Sequence, residues 1–124
     1  MATITASLNL SSSDLTSDEL ALATTAVLTK AGTSTGLTET TGLARKTTSA
    51  TATVTLFDGA DYTDNMAGKI YIKNLSTTAS EAIGRLYAGD WAFLPYGADA
   101  DTNDFKYTPS VSSALTVEYM LMHE

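Results

Sequence analysis

The stretch Leu115-Thr-Val-Glu-Tyr-Met-Leu-Met122 places Leu115, Val117, Tyr119 and Leu121 at every second position, with Thr116, Glu118, Met120 and Met122 between them. A period of two is what a strand buried on one face requires, because successive side chains point to opposite sides of a sheet. The same pattern recurs outward from this segment. Near the start, Ile4, Ala6, Leu8 and Leu10 alternate with Thr3, Thr5, Ser7 and Asn9. Ala52, Val54 and Leu56 alternate with Thr51, Thr53 and Thr55, and that run stops at Asp58-Gly59, a turn dipeptide suited to positive backbone angles. Within 69–74, Ile70 and Ile72 lie opposite Tyr71 and Lys73. The runs 82–87 and 91–94 flank Gly89-Asp90 as the strands of a hairpin would, and 105–108 is a shorter strand ahead of Pro109.

Residues 16–30 admit two readings. Thr16 and Glu19 have capping-box spacing ahead of Leu20, Ala21, Leu22 and Ala23, as at a helix start. Against a helix, Leu20, Leu22, Ala26 and Leu28 share one parity, and Thr24, Thr25, Val27 and Thr29 are stiff, branched residues that favour strands. Strand is the favoured reading. The tally is about eight short strands, so the expected fold is all-β: a single antiparallel β-sandwich, jelly-roll-like, formed by one domain over 1–124.

Composition bounds the chemistry. The chain has 124 residues, a formal net charge of -7, one histidine and no cysteine, and roughly a quarter of it is Ser or Thr. At this length a single core is feasible without a disulfide or a structural zinc. Seven scattered basic residues argue against nucleic acid as a partner, since that affinity comes from clustered Lys and Arg neutralising phosphates. No apolar run approaches the ~18 residues of a membrane span, and no basic-then-apolar leader opens the chain, so a soluble, unprocessed protein with no membrane partner is expected.

The sequence offers little to a reaction. A Ser or Thr nucleophile needs an adjacent base, and the lone His123 is the penultimate residue, where fraying is expected. No nucleophile elbow, phosphate-binding loop or zinc-protease helix occurs. One histidine and no cysteine cannot build a usual zinc site, and no cofactor is expected. Two acidic clusters are weak calcium candidates. Asp99, Asp101 and Asn103 have the alternating spacing that opens a calcium loop, but Asp104 stands where the turn wants Gly and no Glu follows at the twelfth position. Asp58, Asp61 and Asp64 with Asn65 form the second group, and in both a solvated turn is the simpler reading.

Two features suit contact with a partner. Residues 32–48 form a Thr- and Gly-rich stretch in the N-terminal half that repeats Thr-Gly-Leu, long for a plain connection, and it is expected to be a flexible loop or an arm ordered by a partner. Leu37 and Leu43 would be its apolar handles; for the adjacent basic pair Arg45 and Lys46 a solvated pair is the simpler reading and contact with an acidic partner the other. The second feature is aromatic: Trp91 and Phe93 share one face and are expected to anchor the core, leaving Tyr87 and Tyr96 as the exposed contacts.

The segments 69–74 and 83–95, together with 115–121 and the opening Met1-Ala-Thr-Ile-Thr-Ala-Ser, resemble small virion proteins of tailed bacteriophages, including those infecting marine cyanobacteria. The resemblance covers mainly 54–122 and rests on strand and turn patterns. It implies a non-enzymatic β-sandwich, a capsid decoration (cement) protein that stabilises the shell, made in the host cytoplasm and residing on the capsid surface. The implied partners are the major capsid protein or other virion proteins and further copies of the chain, as a trimer or dimer. A tail- or fibre-associated subunit is the nearest alternative. A carbohydrate-binding module using Trp91, Tyr96 and the 99–104 loop is the alternative of a different class.

Overall fold

The computed structural model describes residues 3–13, 20–29, 36–62, 66–76, 80–81, 85–97, 104–109 and 114–123. About two thirds of them are antiparallel strand: β1 (Thr5–Ser12), β2 (Leu20–Val27), β3 (Glu39–Thr40), β4 (Ala44–Thr48), β5 (Val54–Phe57), β6 (Ala67–Asn74), β7 (Ser80–Glu81), β8 (Arg85–Leu86), β9 (Trp91–Gly97), β10 (Phe105–Pro109) and β11 (Leu115–His123). Among the described residues a single 3-10 turn, Gly59–Asp61, follows β5. The chain is therefore all-β.

From β4 onward the pairing follows one rule. β4 pairs with β11, β5 with β10, β6 with β9 and β7 with β8, the pattern of one long antiparallel ribbon that turns back on itself between β7 and β8. Two further pairings, β11 with β6 and β10 with β7, roll that ribbon up. The result is a sheet ordered β4-β11-β6-β9, with β3 also on β11, and a second sheet ordered β5-β10-β7-β8.

The two sheets face each other across one core. Ile70 and Ile72 of β6 and Leu115, Val117 and Leu121 of β11 are fully buried, and they meet Phe57, Phe105 and Tyr107 from the other sheet. The parity read from 115–122 is the parity observed: Leu115, Val117, Tyr119 and Leu121 all join this cluster. Phe57 packs edge-on against Tyr119, with ring centroids 5.5 Å apart. Tyr107 reaches across to Thr48 through its hydroxyl at 3.4 Å, and burial raises its pKa. Gly68 is required by close approach, because a Cβ there would lie 3.0 Å from both Leu121 Cδ1 and the Met122 carbonyl oxygen.

β1 and β2 form a separate two-stranded sheet in unbroken register from Thr5↔Val27 to Ser12↔Leu20. Residues 20–27 are strand, as propensity and parity favour, while the capping-box residues Thr16 and Glu19 lie outside the described residues. The base of this hairpin is anchored to the main sheet. Leu28 donates its N–H to the Ile4 carbonyl at 2.8 Å, Leu37 donates to Leu28, and Leu28, Leu37 and Met122 form a second small core with Ile4, Ala6, Tyr71 and Met120.

Several local expectations are corrected. The described part of the 32–48 stretch is not a loose arm: Leu37 is 1% exposed, and 44–48 is strand β4 along β11. Backbone pairing to a strand far away in sequence overrides a Thr-rich composition that buries little. The strand expected from Thr51 begins only at Val54, with 50–52 in a bend. Gly59 does not take a positive φ; the Asp58 carboxylate instead accepts from Ala60 N–H at 3.0 Å and caps the 3-10 turn. Gly89 does adopt the left-handed conformation, φ 83°, at the turn before β9. Of 82–87, only β8 and Tyr87 are described, and 82–84 lie outside.

Candidate binding surface

The outer face of the β4-β11-β6-β9 sheet, turned away from the main core, carries cross-strand rows set by register. One row runs Trp91, Lys73, Glu118 and Arg45; the next runs Phe93, Tyr71 and Met120; the third runs Pro95, Lys69 and Met122. In the first row, Arg45 Nε donates to Glu118 Oε2 at 3.1 Å, and the Tyr71 hydroxyl donates to Glu118 Oε1 at 3.2 Å. Burial first, then the bond and charge of Glu118, raise the Tyr71 pKa. Glu118 thus links Arg45 of its own row to Tyr71 of the next without drawing on Trp91.

Trp91 and Phe93 share a face, but it is the outer one. They are 54% and 39% exposed, whereas Ala92, Leu94 and Tyr96 turn toward the core. The expectation that Trp91 and Phe93 anchor the interior is thus reversed, and so is the expectation for Tyr96. Its ring packs 6.4 Å from that of Phe57, and burial raises its pKa. The physical reason lies in the register: Ala92 and Leu94 sit opposite Ile72 and Ile70, and the inward positions of β9 take the residues that fit beside two buried isoleucines.

Between Trp91 and Phe93 on one side and the β1–β2 hairpin on the other lies a cleft of about 690 Å³, mainly apolar. The hairpin contributes Ala6, Leu8, Thr24 and Ala26, and the sheet contributes Tyr71 and Lys69 from its floor. The hairpin is two-sided, with its leucines gathered on one face. Register puts Ala6, Leu8 and Leu10 with Leu22, Thr24 and Ala26 on that face, and Thr5, Ser7, Asn9 and Ser11 with Ala21, Ala23, Thr25 and the exposed Val27 on the other. Its polar face is laced by hydroxyls, with Ser7 and Thr25 3.1 Å apart. Its apolar face enters the cleft near the base, but Leu10 and Leu22 farther out remain 45% and 47% exposed.

Both outer strands of this sheet resist growth by edge pairing. Lys46 occupies the core-facing register of β4, between Ala44 and Thr48, yet stays exposed, and Pro95 removes a backbone donor from β9. Inward-set charge and proline are the usual means by which natural sheets block such pairing.

The remaining sequence-selected residues scatter. Leu37 is buried, Leu43 is 60% exposed, Arg45 is engaged by Glu118, and Tyr87 is exposed beside the Gly89 turn. They form no common patch with Tyr96. Asp99, Asp101 and Asn103 lie outside the described residues, as do Asp64 and Asn65. Their neighbour Asp104 is described, and it brings the two acidic segments together: Oδ1 accepts from Gly59 N–H at 2.9 Å, and Oδ2 meets Lys106 Nζ at 2.9 Å. The Lys106 bond, then the Gly59 bond, holds the Asp104 carboxyl below the usual carboxylate range. Among the described residues no group of three or more His, Asp or Glu is placed to hold a metal ion, and no helix is long and apolar enough to cross a membrane. His123 does not fray: it belongs to β11, stacks edge-on with Tyr62 at 5.7 Å and faces Glu39 at 3.7 Å.

The missed residues were therefore Leu8, Leu10, Leu22 and the outward pair Trp91–Phe93. The hairpin's alternation was visible in the sequence. What covers its apolar side was not. The chain matches no family model, and no curated protein or solved structure is significantly similar to it.

Proposed function

We propose that this chain is a non-enzymatic structural protein of a virion, a jelly-roll subunit that decorates and stabilises a capsid shell. The observation that carries the reading is the two-sided β1–β2 strand pair, mainly apolar on one face and with no ionisable side chain in either strand, standing beside an exposed Trp–Phe pair. That is a surface for holding another protein. A jelly roll is supported by the ribbon pairing of β4 with β11, β5 with β10, β6 with β9 and β7 with β8, since two rolled Greek keys of eight strands pair in that nested way. The lone histidine and absent cysteine support a non-catalytic role. The phage-like strand and turn patterns in 54–122 supply the virion context. Each contact with a shell can be weak, because a lattice repeats the site and effective concentration multiplies affinity.

The test is to add purified protein to shells lacking it and to measure their resistance to heat and low salt. Raised resistance at saturating protein supports the reading, and no binding refutes it. The exposed Trp91–Phe93 pair also suits stacking on a sugar ring. A glycan array and a calcium titration read that alternative directly, and a saccharide signal abolished by Trp91→Ala would replace the capsid reading with a carbohydrate-binding one.

A further inference from the structure

We propose that the apolar face of the β1–β2 hairpin is completed by a second copy of this chain. The exposed Leu10–Leu22 pair of each hairpin packs into the cleft between the partner's hairpin base and its Trp91–Phe93 pair. This goes beyond capsid binding, because it concerns how the subunit meets itself before any shell is present.

Four observations point to a second copy. First, the surface is self-complementary: each chain carries an unfilled apolar cleft and, on the same continuous face, an exposed pair of cross-strand leucines, Leu10 opposite Leu22. Two hairpins laid antiparallel, face to face, put the Leu10–Leu22 end of each over the Leu8–Ala26 base of the other, the isologous geometry of a twofold dimer. Second, the charge pattern permits it. Each chain carries a formal charge of -7, so two copies repel over most of their surfaces, yet residues 5–12 and 20–27 contain no ionisable side chain. The paired strands are thus a region where two acidic copies can meet without like charges facing each other, and an antiparallel arrangement keeps the two connecting segments, which carry Asp14, Asp18 and Glu19, at opposite ends of the pair. Third, the quantity of surface fits. Covering what Trp91, Phe93, Leu10 and Leu22 leave exposed removes on the order of 600 Å² of apolar surface from two copies, close to the apolar share of a small standard interface. Fourth, Lys46 and Pro95 block edge-to-edge pairing at β4 and β9, so face packing is the mode of association left to this sheet. A lone two-stranded hairpin is marginal in water, and stacking on a second one at about 10 Å supplies the missing layer.

The experiment is multi-angle light scattering and sedimentation equilibrium on the full chain. The highest concentration is about 100 μM, well above the micromolar Kd at the weak end for interfaces of this size. The expected mass is twice the 13.0 kDa of the chain. The double variant Leu10→Asp/Leu22→Asp and the single variant Trp91→Ala should each shift the dimer constant at least tenfold toward monomer, while Thr25→Lys on the hairpin's polar face leaves it unchanged. Circular dichroism of each variant establishes that it is folded. Because the chain has no cysteine, Leu10→Cys and Phe93→Cys proteins mixed under mild oxidation report the arm-in-cleft contact alone. A disulfide between the two chains is expected. A 13.0 kDa monomer at the highest concentration overturns the proposal. So does a dimer that ignores both sets of variants, or a mixture that forms no cross-link.

Discussion

Replacing Asn74 by alanine should unlock the corner at which the two sheets are joined. Asn74 is the one fully buried polar side chain among the described residues, at the end of β6. Its Nδ2 donates to the Leu86 carbonyl of β8 at 3.1 Å, and its Oδ1 accepts from Ser76 N–H at 3.0 Å. Its backbone also bonds the Gly89–Asp90 turn, donating to Asp90 O and accepting from Gly89 N–H, both at 2.9 Å. Asn74→Ala keeps the backbone bonds and strips both side-chain bonds, leaving the Leu86 carbonyl and Ser76 N–H without those partners. At about 1–3 kcal/mol for each of the two groups left wanting, the expected loss is roughly 2–6 kcal/mol. For a domain of this length that lowers Tm by about 10–20 °C. Urea unfolding and differential scanning calorimetry measure it. Asn74→Asp sharpens the test, because a carboxylate accepts from Ser76 but cannot donate to Leu86, whereas the protonated acid does both. The folded-state pKa of the new carboxyl is then raised, so its stabilisation is present at low pH and lost as pH rises through that pKa. The deficit against wild type should therefore narrow between pH 7 and pH ~4. A loss below about 1 kcal/mol for Asn74→Ala, or a deficit for Asn74→Asp that ignores pH, would refute the reasoning.

Other consequences are equally direct. Gly68→Ala forces a Cβ to 3.0 Å from the Met122 carbonyl oxygen between paired strands, and should cost about 1–3 kcal/mol in urea unfolding, while the control Gly36→Ala, whose Cβ would meet nothing within 4 Å, costs less. Asp104→Asn removes a carboxylate whose folded pKa is depressed by Lys106 and Gly59. Wild type carries that stabilisation above the ordinary Asp pKa of ~3.9 and loses it as pH falls through the depressed value, so the variant's Tm should show a weaker acid dependence below pH ~4. Deleting 36–47 takes away the buried Leu37 and most of β4, and should abolish the cooperative thermal transition rather than merely trim a surface contact.

What was legible in the sequence follows from which positions have neighbours on one side only. In β11, parity alone located the core, because Thr116 and Glu118 are polar and the opposite set is wholly apolar. β9 defeats the same reasoning: Trp91 and Phe93 on one parity and Ala92, Leu94 and Tyr96 on the other are both apolar, so alternation groups them without saying which group faces inward. β4 shows the opposite failure. Ala44-Arg-Lys-Thr-Thr48 has no apolar rhythm because an edge strand buries little, and its partner β11 lies about seventy residues away. Long-range backbone pairing of that kind leaves no local trace. The threonine surplus acquired a meaning only with register, as cross-strand hydroxyl pairs such as Thr47–Thr116 at 2.8 Å and Thr53–Thr108 at 2.9 Å.

The capsid reading rests finally on stoichiometry. Virions purified from infected host culture, washed at high salt and quantified by mass spectrometry against the major capsid protein, should contain this chain at a high and constant copy number from one preparation to the next. Absence from washed particles, or a copy number that drifts with the wash, would contradict it.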